Sequence, residues 1–349
     1  MHLEEIRSLP KVLLHDHLDG GLRPQTVIDL AQEYGYDRLP TTDAGQLGQW
    51  FVDAADSGSL VRYLETFEHT VSVCQTEDAL RRVAAECAQD LAADGVVYAE
   101  VRFAPELFTA GGLTMGQAVE AVLDGFDTED DIVVNALLCA MRQADRGDEV
   151  ADLVVAFRDE GVVGMDIAGP EDGFPASLFA EPFAKLRAQM CRYTIHAGEA
   201  AGVDSIADAL AVCAAERLGH GVRIAEDIRV SGDEATLGPV ASYVLDRQIA
   251  LEVCPSSNLQ TGIADTIADH PVTLLNDLGF AVTINTDNRL MSGTTLSREM
   301  HLLTEQADWD IEDLYLATRA AVDASFQSFD EKSELIVDLI DPAWSRYLG

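Results

Sequence analysis

Eight short apolar runs, each followed by a polar turn and then a helical pattern, constrain this chain more than any other feature. They are VLLHDH (12–17), VVYAEVRF (96–103), IVVNALLCA (132–140), VVGMDIAG (162–169), YTIHAGE (193–199), RLGHGV (217–222), IALEVCPS (249–256) and AVTINTDN (281–288). Near-continuous runs rich in Val and Ile read as strands buried on both faces, and such strands belong to parallel sheets. Between them lie amphipathic stretches. TEDALRRVAAECAQDLAADG (76–95) opens with Thr76 as N-cap and closes with Gly95 just past its end; TMGQAVEAVLDGF (114–126) and DSIADALAVCAAERLG (204–219) read the same way. Eight β-then-α units predict an α/β fold, a (β/α)8 TIM barrel, with an open doubly wound sheet as the alternative. The connection 18–95 is too long for one crossover helix, so it is expected to hold several helices that cap the barrel mouth. The tail after residue 296 reads as helical. With no Pro-, Gly- or Ser-rich linker and no repeat, residues 1–349 read as a single domain, a size that α/β barrels fill as one unit.

A barrel places its chemistry at the C-terminal ends of its strands, and five such ends carry polar residues. His15 and His17 alternate with Asp16, so the two imidazoles share one face and Asp16 takes the other. His196, His220 and Asp287 close three later apolar runs. Three His and one Asp suit a borderline-soft divalent ion, zinc first, with iron, cobalt or manganese as alternatives. The expected ligand set is His15, His17, His196 and Asp287, with water in the open position. Only three basic residues are lysines (Lys11, Lys185, Lys332), and none falls near a strand end by this reading. A bridging modified Lys at the end of strand four is therefore missing, which favours one metal over two.

Taken together, PKVLLHDHLDGGLRP, VVGMDIAG, TIHAGE, RLGHG, CPSSNLQTG and NTDNRLMS resemble the adenosine deaminase family of metal-dependent barrel enzymes. The similarity runs in order over nearly the whole chain and looks closest to bacterial, actinobacterial-type members. It implies one Zn2+ per chain on His15, His17, His196 and Asp287, with Glu199 as proton donor to purine N1. It implies that His220 orients and deprotonates the water, that Asp19 with His17 binds the ribose 5′ end, and that the Gly169 backbone donates to N3. Much of the family has a second aspartate, contacting N7, where this chain has Asn288; an amide donates without titrating, so the contact is expected to survive. The implied reaction is hydrolytic deamination of adenosine and 2′-deoxyadenosine to inosine and 2′-deoxyinosine plus ammonia. A metal lowers the pKa of bound water to about 7, making hydroxide available for attack at C6. A carboxyl in a closed apolar pocket holds the proton that the ring then takes.

Blander readings stand beside these. Glu199 could complement a helix N-terminus, and Asp19, Gly169 and Asn288 could serve only their turns. His69, His270 and His301 fall in no motif and read as structural, and Cys254 reads as a packed thiol. Competing functions are deamination of another 6-aminopurine nucleoside such as aminodeoxyfutalosine, of adenine or of AMP, and a catalytically silent adenosine-binding relative. AMP would need a phosphate cradle, for which Arg23 and Arg289 are the candidates and to which Asp19 is opposed.

Composition narrows the partners. With 23 basic and 61 acidic residues the formal charge is −38, which repels nucleic-acid backbones and anionic membranes. The expected partner is a small purine nucleoside, with no nucleic acid and no membrane, and no feature reads on oligomeric state. Six scattered cysteines read as reduced thiols, and the polar start MHLEEIRSLP is not a signal peptide, so a cytoplasmic location is expected.

Overall fold

A computed structural model describes residues 1–232 and 234–348. The apolar runs form the barrel: β1 (Lys11–His17), β2 (Val96–Phe103), β3 (Val133–Met141), β4 (Val162–Ala168), β5 in two pieces (Arg192–Tyr193 and Ile195–Ala197), β6 (Arg217–His220), β7 (Ala250–Val253) and β8 (Val282–Ile284). Every barrel pairing is parallel. The first piece of β5 pairs with β4 and the second with β6, so the strand changes partner at Thr194. The ring closes where Asp16 bridges to Asp287. Asp287 N donates to His15 O at 2.9 Å, and His17 N donates to Asp287 O at 2.8 Å. Asn285 Oδ1 reinforces that seam by accepting from Leu14 N and His15 N. The sheet is therefore a closed barrel, and the open doubly wound alternative falls away.

Several strands stop sooner than their apolar runs. The run 249–256 keeps only Ala250–Val253, because Cys254 caps a helix whose first residue is Pro255. The run 281–288 keeps only Val282–Ile284, since its polar end turns inward and Asp287 adopts φ +57°. The helix expected over 204–219 is Val203–Ala211; Ala214 takes φ +57° and β6 begins at Arg217, so that reading ran a helix into a strand. Thr76 does cap Glu77–Ala93, its Oγ1 accepting from Ala79 N. Gly95 follows at φ +79°, where a Cβ would sit 2.2 Å from Arg7 O.

The long first connection holds the helices Pro24–Tyr34, Ala44–Ala55, Leu60–Glu65, Phe67–Val73 and Glu77–Ala93. After residue 296 the chain is helical to Leu348, and Trp344 Nε1 donates to Pro10 O, tying the last helix to the bottom of the barrel. An antiparallel hairpin, Ile228–Ser231 with Glu234–Leu237, was not expected from the sequence. Lys11 corrects the lysine reading, because it opens β1. It lies at the N-terminal end of the strand, away from the histidines, and its buried Nζ donates to the carbonyls of Ile6 and Leu9. Among the described residues no helix is long and apolar enough to cross a membrane.

Candidate active site

Barrel closure brings the separated strand ends to one point. His17 Nε2 lies 3.3 Å from Asp287 Oδ1, His15 Nε2 lies 3.4 Å from the same oxygen, and His17 Nε2 lies 3.4 Å from His196 Nε2. One donor atom from each of these four residues falls within 4.8 Å of the others. His220 and Asp287 both take φ near +60°, a costly conformation for residues with a side chain, here enforced by the surrounding strands.

A lower tier of carboxylates aims the imidazoles. Glu252 Oε2 holds His15 Nδ1 at 2.9 Å and Asp166 Oδ2 holds His196 Nδ1 at 2.7 Å. A carboxylate at Nδ1 keeps the proton there and turns the Nε2 lone pair inward. Burial drives His17 and His196 towards the neutral form that ligation needs. His15 Nε2 is fully buried with no hydrogen-bond partner, a cost that a cation at this point would remove. These residues fit a metal ion.

Beside the cluster lies a cavity of about 410 Å³. Its polar wall contains His17, Asp19, Gly169, His196, Glu199, His220, Asp287 and Asn288; its apolar wall includes Leu60, Tyr63, Leu64, Phe67, Leu107 and Met141. Every expected site residue thus lines one cavity except His15, which lies just beneath it. Burial, then the charges of Asp287 and Glu171, raise the Glu199 carboxyl well above its ordinary value. Its closest basic neighbour is His220 Nε2, 3.7 Å from Oε2. Burial likewise raises Asp19 to about 7. Gly169 sits at φ +99°, and a Cβ there would meet Gln143 Oε1 at 2.6 Å, so only glycine fits. The Asn288 amide packs on Gly20, whose Cβ, if present, would lie 1.9 Å from Asn288 Oδ1.

The chain as a whole is similar to known proteins. The family described as "Adenosine deaminase" matches residues 10–342. The chain belongs to the adenosine deaminase family. "Adenosine deaminase 1" of Streptomyces coelicolor is 55% identical over 352 residues, covering 98% of this chain and 89% of that protein. Among solved structures, the adenine deaminase of Arthrobacter aurescens superimposes with a TM-score of 0.85 at 25% identity, over 97% of this chain and 99% of the other. The Arabidopsis ADAL protein complexed with GMP gives 0.82 at 25% identity, over 97% and 98%.

Several residues of this adenosine deaminase family member escaped the sequence reading. Glu171 is buried and accepts from the backbone N–H groups of Gly198, Glu199, Ala200 and Ala201 and from Ser205 Oγ. It therefore anchors the segment that carries Glu199, and its only sequence signal was an acid two residues past the Gly169 turn. Arg142 donates to His196 O and Arg223 Nε to Glu199 O, gripping the same segment by its carbonyls. Ser257 Oγ donates to Asp287 Oδ2 at 2.6 Å. His270 is buried and reaches His220 through Asn258. His69 pairs with Tyr36 Oη and His301 faces Glu305, both away from the cavity, and Cys254 is buried with its thiol pushed up by burial. Arg289 is spent on Asp16 and Arg23 on Asp90, and neither lines the cavity.

Proposed function

We propose that this family member deaminates adenosine and 2′-deoxyadenosine hydrolytically, releasing ammonia and leaving inosine or 2′-deoxyinosine. The observation that carries the reading is Glu199. It is a buried carboxyl that its surroundings push well above its ordinary value, in one cavity with a His/Asp cluster that fits a metal, within a chain 55% identical to a protein named adenosine deaminase 1.

His15, His17, His196 and Asp287 would hold one Zn2+ per chain. When bound, that ion lowers the pKa of a water so that hydroxide is available at neutral pH. The chain's own residues do the rest. Glu199 gives its proton to N1 as C6 is attacked, so that negative charge does not build up on the ring. His220 and Asp287 flank the water, whose proton leaves with the ammonia. The Gly169 N–H meets N3, and Asp19 with His17 holds the ribose 5′ end. Asn288 meets N7. The packing of Oδ1 on Gly20 supports that role, because it leaves the amide nitrogen for the cavity. The apolar wall excludes water around the ring.

A nucleoside suits this cavity better than a nucleotide. The two candidate phosphate ligands, Arg23 and Arg289, are bound to Asp90 and Asp16, while the carboxyl of Asp19 lines the cavity. One apolar core extends from Ile6 to Trp344, which supports reading residues 1–349 as one domain. Six free, buried thiols fit a reducing compartment, and we place the enzyme in the cytoplasm.

The test is ammonia release from adenosine, 2′-deoxyadenosine, adenine, AMP and aminodeoxyfutalosine, compared by kcat/KM. The two adenine nucleosides should lead, and a preference for any other substrate rejects the assignment. Elemental analysis should find close to one zinc per chain, and His196→Ala should lose both zinc and turnover.

A further inference from the structure

The hydrogen-bond chain behind His220 starts at a group whose role is certain. The backbone N–H of Val272 can only donate, and it donates to His270 Nδ1 at 3.0 Å. His270 Nδ1 is therefore an acceptor, and the neutral ring carries its proton on Nε2. That Nε2–H faces Asn258 Oδ1 at 3.2 Å, and Cys254 N approaches the same oxygen at 3.4 Å. Two donors on one side fix which end of the Asn258 amide is oxygen, an orientation set by the network. The amide nitrogen then points at His220 Nδ1, 3.0 Å away, and can only donate to it. His220 Nδ1 is thus an acceptor too, and a second proton there would meet an N–H head-on. The proton of His220 sits on Nε2, the atom that faces Glu199 and the cavity. All three side chains are buried, so no bulk water can substitute for a missing link.

We propose that His270 and Asn258 are positioning residues that hold His220 as its Nε2–H tautomer, so that His220 meets the attacking water as a hydrogen-bond donor and not as its base. This revises the role that the family resemblance implied for His220. It rests on the proposed deaminase reaction only for its catalytic consequence, since the tautomer is a property of the resting enzyme. Burial also lowers His270 to about 3, consistent with a neutral ring throughout the working range.

The measurement is the 15N chemical shifts of the imidazole nitrogens in the zinc-loaded enzyme without substrate, with His220 assigned by its loss in His220→Gln. The wild type should show protonated Nε2 and acceptor Nδ1; protonated Nδ1 overturns the proposal whatever the variants do. Asn258→Asp replaces the donor by a carboxylate and should move the proton to Nδ1. It should lower kcat by about 10²-fold, the lower range for a lost hydrogen-bond donor at the reacting centre, with KM and zinc content within about threefold. His270→Leu should lower kcat by about tenfold and His270→Gln, which can still donate to Asn258, should restore most of it. An unchanged kcat in Asn258→Asp despite a switched tautomer overturns the catalytic part. A correct tautomer in an enzyme inert on adenosine would instead sink the substrate assignment and leave the relay standing.

Discussion

Two levels of the same barrel treat buried polar groups in opposite ways. In the lower one Glu100, Arg217, Glu252, Arg102 and Asp166 form a chain of alternating charge. Its links are 2.6 Å (Glu100–Arg217), 2.7 Å (Arg217–Glu252), 2.7 Å (Glu252–Arg102) and 2.5 Å (Arg102–Asp166). Burial alone would raise the carboxyls. His196 and Arg102 overcome it at Asp166, and Arg102 and Arg217 at Glu252, so both stay well below the usual range. At the mouth, one layer up, His15 Nε2 and the cavity-lining Tyr63 Oη are buried with no partner, and Glu199 is pushed the other way; in the lower tier each charge is paired, although Arg102 Nε itself meets no acceptor. In a medium of low dielectric a paired charge is scaffold, and an unpaired polar atom beside a cavity marks where something else can bind. The lower tier pays for the upper, because the carboxylates that face the arginines also hold His15 and His196.

Breaking the lower tier should have the largest effect. Arg102→Leu leaves Asp166 and Glu252 buried without their shared cation, and we expect a loss of about 3–5 kcal/mol in chemical denaturation. A loss below about 1 kcal/mol would show that the chain is not the scaffold described here.

Glu199→Gln should separate the two levels most cleanly. We expect kcat to fall by about 10²–10⁴-fold with zinc content intact. Stability should move the opposite way from Arg102→Leu. A carboxyl whose folded pKa lies above its unfolded value costs stability as pH rises past the unfolded value, so removing it should raise Tm at pH 7 and leave Tm nearly unchanged below pH 4. A lowered Tm at pH 7 would place Glu199 among the scaffold groups.

Asn288→Ala should cost about 1–3 kcal/mol in transition-state binding of adenosine, the range for an unpaired buried partner, and much less with 7-deazaadenosine. Equal losses on both substrates would remove Asn288 from purine recognition. The smallest effect concerns the formal charge of −38. Raising salt from 0.1 to 1 M shortens the Debye length from about 10 to about 3 Å and should raise Tm by relieving self-repulsion. The Arg102→Leu deficit should persist at both salt concentrations.

Much of the site was legible because its signals are local. HDH places two imidazoles on one strand face within three residues, and HAGE presents an imidazole and a carboxyl three apart. Glu171, Asn258 and His270 were not legible, since each acts by hydrogen bonding to a residue on another element, and nothing in its own neighbourhood announces that contact. Lys11 shows the same limit from the other side: its number in the chain was plain, but which end of which strand it occupied was not.

By itself the sequence determined eight buried strands, the caps at Thr76 and Gly95, and a set of polar strand ends that could only converge in a barrel. Only the tertiary structure decided which side chains meet across it. Glu252 lies 237 positions from the His15 it holds, and 150 from Arg102. Hydrophobic periodicity is a property of neighbours along the chain and reports which face of an element is buried. The partner of a buried charge depends instead on how the strands are staggered around the ring, and that register is set only when β8 closes on β1.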